Sequence, residues 1–159
     1  MEGIIHIRID DRLIHGQVAA FWSNILQATR IMVINDQVAN DELQKKVLRM
    51  AAPTGIATSI ITKEKAFANI SAGKYSGQKV MVIFKNPEDI LDLVEMGLPI
   101  KHVNVGNMGA KENTRAIKKS VNVTDEDIAA FEALGEKGVQ LTAQMVPDDS
   151  DELLSKYLK

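Results

Sequence analysis

The chain has no cysteine among its 159 residues, which excludes a thiol nucleophile, a thiolate metal cage and a disulfide framework. Aromatic residues are few: four Phe, two Tyr and one Trp. With a net charge of -2, from 19 Lys+Arg against 21 Asp+Glu, that scarcity argues against a nucleic-acid binder, whose contact face is usually basic and often aromatic-rich. No apolar run approaches the ~20 residues that span a bilayer. The opening Met1-Glu2-Gly3 lacks the basic flank and long apolar stretch of an export signal, so a domain that does not cross a membrane is expected. Also missing are the G-x-x-x-x-G-K phosphate loop, the G-x-G-x-x-G fingerprint, H-E-x-x-H and G-x-S-x-G. Nucleotide binding, zinc hydrolysis and serine hydrolysis therefore have no specific support.

What remains is an ordinary globular composition, 45% hydrophobic and 25% charged, long enough for one core without staples. Short β-branched runs recur with helical patterns between them, which predicts βαβ units. The candidate strands are 4–9, 31–35, 56–61, 80–84, 102–105 and 139–145, with a short edge strand over 120–123. The runs Ile31 to Ile34 and Val80 to Phe84 are apolar at consecutive positions, as in strands covered on both faces. Val18, Phe21, Trp22 and Ile25 share one helical face. Asn40 is placed as the cap of a helix whose apolar face carries Leu43, Val47 and Met50. Asn86, Pro87 and Gly97 bracket another helix, Thr124 and Asp127 open a third, and a last helix is expected over 149–158. The expected fold is a single α/β domain over 1–159, an open, twisted, mostly parallel sheet of about six or seven strands with helices on both faces.

In such a sheet ligands bind at the carboxyl ends of the strands. The richest loop there follows the first strand: Asp10-Asp11-Arg12-Leu13-Ile14-His15-Gly16-Gln17. It sets His15 at a helix N-terminus beside the free amides of Gly16, Gln17 and Val18, an arrangement suited to a phosphoryl group. A neutral imidazole can attack phosphorus and hold the group as a phosphoramidate. Arg12, and Arg8 at the strand end, offer guanidinium donors to its oxygens, and Asp10 or Asp11 is a candidate to orient the ring. Taken singly these residues have plainer readings, as turn caps, a solvated charge and a structural histidine. His6 and His102 are assigned structural roles, and Trp22 is placed in the core. Leu13, Ile14, Phe21 and Met108 are the candidate apolar rim for docking.

The string Arg8 to Val18 resembles the active-site motif of the IIB subunit of the mannose-fructose-sorbose family of the bacterial sugar phosphotransferase system. Similarity extends to Asn35-Asp36, Val80 to Pro87, Val103 to Met108 and Ser120 to Thr124. The resemblance implies a cytoplasmic phosphocarrier, held at the inner face of the membrane through subunits IIC and IID. Its histidine takes a phosphoryl group on Nδ1 from a phosphohistidine of IIA and passes it to a sugar. That role carries onto His15, with Arg12 assisting. Asp10 joins the expected catalytic set, Arg8, Gly16 and Gln17 are the expected phosphate-binding residues, and Asp36, Gly106, Asn107 and Met108 are candidates for the site rim. No metal or other cofactor is expected. A second copy of the chain is a candidate partner, and Gly106-Asn107-Met108 with Val146-Pro147 leans toward N-acetylgalactosamine as the sugar. The alternative reading is a non-catalytic regulatory module of the same fold.

Overall fold

The computed structural model describes residues 1–158. Its elements are β1 (Ile4–Asp10), α1 (Gly16–Leu26), β2 (Arg30–Ile34), α2 (Asp36–Ala39), α3 (Glu42–Ala51), β3 (Ala57–Ile61), α4 (Lys63–Ser71), β4 (Val80–Phe84), α5 (Pro87–Met96), β5 (His102–Asn107), β6 (Arg115–Lys118), β7 (Val121–Val123), α6 (Asp125–Glu136), β8 (Gln140–Ala143) and β9 (Glu152–Leu153), then a 3-10 turn, Leu154–Lys156. The main sheet runs β3-β2-β4-β1-β5-β8-β9. All its pairings are parallel except that of β9 on β8.

The period of two along the strands sorts their side chains between two cores. Met32, Ile34, Val82 and Phe84 point to the face covered by α4, α5 and α6, where Ile70, Ile90, Leu93, Phe131 and Leu134 pack. Ile31, Val33, Met81 and Ile83 point to the other face, under Trp22 of α1 and Leu48 of α3. The chain leaving β1 therefore goes to one face, and those leaving its neighbours β4 and β5 reach α5 and α6 on the other. Diverging connections open a crevice at the carboxyl end of β1.

Two helix ends follow the expected chemistry. The Asn86 side chain accepts from the Asp89 amide, with Pro87 next to the cap and Gly97 in the left-handed region at the stop. Thr124 and Asp127 form a reciprocal capping box. Four expectations are corrected. Asp41, not Asn40, caps α3, its Oδ1 accepting from the Leu43 and Gln44 amides. The apolar stripe Leu43, Val47 and Met50 faces solvent, at 71%, 56% and 80% exposure, and the helix meets the core through Leu48 instead. Residues 121–123 pair with β6 in a separate two-stranded ribbon rather than on the main sheet. The expected last helix is replaced by β9 and the 3-10 turn, because Glu152 and Leu153 pair with Ala143 and Thr142 while Leu154 is fully buried. Helix α4, capped by Thr62 with Ala66 and Ile70 inward, completes the layer.

Where α5 meets α6, burial and a hydrogen bond with Asp127 push the Glu88 carboxyl up from 4.5 to about 7. A folded value above the unfolded one contributes stability that is full below about pH 4.5 and is lost as pH rises through about 7. Urea unfolding across that interval should show stability declining, and Glu88→Gln should flatten this part of the profile.

Candidate functional site

The loop from β1 to α1 is rigid where it must be and open at one point. Asp10 ends β1 fully buried, and its Oδ1 accepts from the Arg12 amide at 3.0 Å. The Leu13 amide closes the same turn on the Asp10 carbonyl at 2.9 Å. Leu13 sits in the left-handed region, φ 63°, which a branched side chain adopts only when its surroundings hold it there. What holds it is packing: Leu13 and Ile14 are both buried in the core under α1. The next residue, His15, is exposed, with extended backbone angles as the N-cap of α1 and no side-chain capping bond.

The first amide to reach back within α1 is that of Ala19, to the His15 carbonyl at 3.3 Å. Those of Gly16, Gln17 and Val18 precede the helical ladder, and Gly16 and Gln17, next to His15 in the chain, are exposed. Arg12 is half-buried, its Nε donating to Asp10 Oδ1 at 3.4 Å. Its Nη2 is shielded from solvent and has no hydrogen-bond partner among the described residues. An exposed imidazole, a row of unladdered amides and a guanidinium with a donor to spare therefore lie within one short loop. Such a set has the chemistry to accept a phosphoryl group and to stabilise charge developing on its oxygens.

The carboxylates act differently from expectation. Neither Asp10 nor Asp11 orients His15. Asp10 is shared between Arg12 and Arg8, whose Nη2 lies 3.6 Å from its Oδ2. Asp11 turns the other way and clamps the end of β5, accepting from Asn107 Nδ2 at 2.8 Å and the Gly109 amide at 2.6 Å. Arg8 is not a phosphate ligand. It is 1% exposed, and its guanidinium donates to Asn104 Oδ1 at 2.6 Å and to the Gln144 and Met145 carbonyls at 3.0 and 2.6 Å. Burial lowers it to about 10, against the pull of Asp10, so it remains charged at neutral pH.

The expected rim is also revised. Met108 is buried in the main core, as are Leu13 and Ile14 in the second, leaving Phe21 as the exposed apolar candidate. Gly106 is buried against Arg8, where a Cβ would overlap the guanidinium. Asp36 stands at the end of β2, with β4 between it and β1, and its Oδ1 accepts from the Lys63 amide at 2.8 Å. Only Asn107 is joined to the loop, through Asp11. His102 bonds Thr142 Oγ1 at 2.8 Å. His6 is held neutral by burial and by the Arg8 charge, which lower it to about 4.

Trp22 is buried as expected, but its contact with Arg8 was not read from the sequence, and Asn104 and the Gln144-Met145 turn, which complete the surroundings of Arg8, were missed. Their signal was present: His6, Arg8 and Asp10 alternate along β1, and His102, Asn104 and Gly106 along β5, a polar period of two on the strand faces beneath Trp22.

The family model for the PTS system sorbose subfamily IIB component matches residues 4–159. The chain belongs to this family. It is 42% identical to the fructose-specific EIIB component of Bacillus subtilis (strain 168) over 159 residues, 100% of this chain and 98% of the relative. The mannose-specific EIIAB component of Escherichia coli (strain K12) is 39% identical over 142 residues, 89% of this chain and 44% of that longer protein. The crystal structure of the IIBSor domain of the sorbose permease from Klebsiella pneumoniae superposes with a TM-score of 0.93 at 37% identity, covering 99% of this chain and 96% of that one. As a IIB component the protein is a part of the sugar phosphotransferase system, and no helix among its described residues is long and apolar enough to cross a membrane.

A methyl group at position 106 must displace a buried, fully engaged guanidinium. Gly106→Ala should therefore cost about 1–3 kcal/mol by urea denaturation, in the range of overpacked cores, whereas Gly135→Ala, which meets open space, should fold with near-normal stability.

Proposed function

We propose that this IIB component is a phosphocarrier whose covalent intermediate forms on Nδ1 of His15. The observation that carries the reading is the exposed His15 at the start of α1, in the same short loop as an Arg12 guanidinium held by Asp10 and keeping one donor unpartnered. In the first half-reaction the Nδ1 lone pair attacks phosphorus, the donor's N–P bond breaks, and the donor nitrogen leaves with that electron pair. In the second, a sugar hydroxyl oxygen attacks, its proton passes to a base, and His15 Nδ1 recovers the pair from its own N–P bond. Arg12 and the amides of Gly16 and Gln17 hold the equatorial oxygens through both steps. Positioning and charge stabilisation are the means by which such transfers are accelerated.

The donor is a phosphohistidine of a IIA domain, a partner in keeping with the EIIAB name of the relative of which this chain spans less than half. The acceptor is a mannose-family hexose or amino sugar, N-acetylgalactosamine among them, presented by membrane subunits IIC and IID. The protein then works at the cytoplasmic face of the membrane, recruited to it by those subunits. His15 suits this two-partner task because it projects from a loop whose neighbours on both sides are buried anchors or the start of a helix.

Phosphoramidate, a small donor that needs no partner protein, tests the chemistry. The purified chain should gain one acid-labile phosphate, located at His15 by peptide mass spectrometry and assigned to Nδ1 by phosphorus NMR. His15→Gln should gain none, and Arg12→Ala should take up label about 10- to 100-fold more slowly, the loss typical of one transition-state donor. A wild-type chain that stays unlabelled, or carries its label elsewhere, rejects the proposal.

A further inference from the structure

Arg8 is the largest fully buried side chain, and the phosphotransfer reading leaves it without a task. Burying a guanidinium is costly, and an apolar side chain of similar volume fills such a space at least as well. Its surroundings are unusually complete. The Trp22 ring meets two partners on β1, stacked on His6 at 4.7 Å between centroids and facing the Arg8 guanidinium at 5.0 Å. Trp22 Nε1 donates to the Met145 carbonyl at 2.9 Å, the oxygen that also accepts from Arg8. With Asn104 and the Gln144 carbonyl, these contacts fix the guanidinium from α1, β5 and the turn after β8 at once. The absence of a side chain at Gly106 leaves it room.

The one carboxylate partner in this shell is Asp10, and Asp10 divides its oxygens. Oδ2 faces Arg8 at 3.6 Å, and Oδ1 takes the Arg12 amide and Nε. We infer that Arg8 is a positioning residue for phosphoryl transfer: held by Trp22, Asn104 and the Gln144-Met145 turn, it fixes the Asp10 carboxylate, which in turn aims the Arg12 guanidinium. Arg8 never meets the phosphoryl group. An apolar residue packs the same space but leaves Asp10 buried with Arg12 as its only cation. The carboxylate is then free to turn toward water, and Arg12 loses a fixed acceptor. Two arginines of one motif thus have unlike work, one inside and immobile, the other at the surface and directed by it. This inference rests on the phosphocarrier reading for its consequence, and on geometry alone for the Arg8-Asp10-Arg12 linkage.

A double-mutant cycle tests it. His15 labelling by phosphoramidate is timed in wild type, Arg8→Met, Arg12→Ala and the double variant, with near-ultraviolet circular dichroism confirming that each is folded. Arg8→Met should slow labelling about tenfold in the wild-type background and less than about twofold once Arg12 is gone, because the two act through one path. Arg8→Lys, charged but without the planar fork, should fall between wild type and Arg8→Met. If Arg8→Met does not fold, Asn104→Ala removes one anchor and keeps the charge, and it should show the same dependence on Arg12. Labelling at the wild-type rate in Arg8→Met, or losses that multiply in the double variant, overturns the inference. If the wild-type chain takes no label, the phosphocarrier reading fails by itself, and the linkage is decided by hydrogen exchange at Arg12 Nε–H. Slow exchange in wild type and faster exchange in Arg8→Lys sustains the linkage, and equal exchange in the two rejects it.

Discussion

A guanidinium buried in this fold must find acceptors on every side, and that requirement organises the active edge of the sheet. Arg8 draws together β1, the middle of β5 through Asn104, the turn after β8 through two carbonyls, and α1 through Trp22. Each contact is individually modest, since a hydrogen bond to a charged group contributes about 1.5–3 kcal/mol net. Removing any one partner, however, leaves a desolvated charge short of an acceptor. The geometry is therefore specified collectively, and the loop bearing His15 springs from its most constrained point, Asp10.

The loop itself reconciles two opposed demands. On the proposed phosphocarrier reading, a group that exchanges phosphate with two partners has to be reachable, and a transfer site has to be ordered before the substrate arrives. Burying Leu13 and Ile14 supplies the order and allows His15, immediately next to them, to be exposed. The positive φ at Leu13 is the backbone cost of that reversal. On the far side, Asp11 ties the loop to Asn107 and Gly109, joining the ends of β1 and β5.

The alternating order of strands and helices was legible because it is written locally, in β-branched runs, in Pro87 and Gly97, and in the Thr124 box. The loop carrying His15 was legible for the same reason, since its residues are contiguous. Errors arose where distant segments decide. Residues 149–158 have helical spacing, but β8 offers an unpaired edge that Glu152 and Leu153 take up. Leu43, Val47 and Met50 obey a helical period without facing the core, because the period records a stripe and not its direction. Arg8 stands next to the His15 loop in sequence, yet the alternation of β1 turns it under Trp22. Spacing also left Asp10 and Asp11 interchangeable, and only the position of β5 separates their duties.

The short antiparallel β9 has a consequence for the chain's behaviour among its own copies. An exposed sheet edge is a row of unpaired amides and carbonyls that invites strand addition from a neighbouring molecule. At one edge of this sheet β8 is covered by two residues that double back and end in a 3-10 turn anchored by Leu154, with Glu152 further tied to Tyr157 and Lys118. So brief a terminal rung offers almost no template for intermolecular pairing. The residues expected to form a last helix thus leave only a two-residue strand at that edge of the sheet.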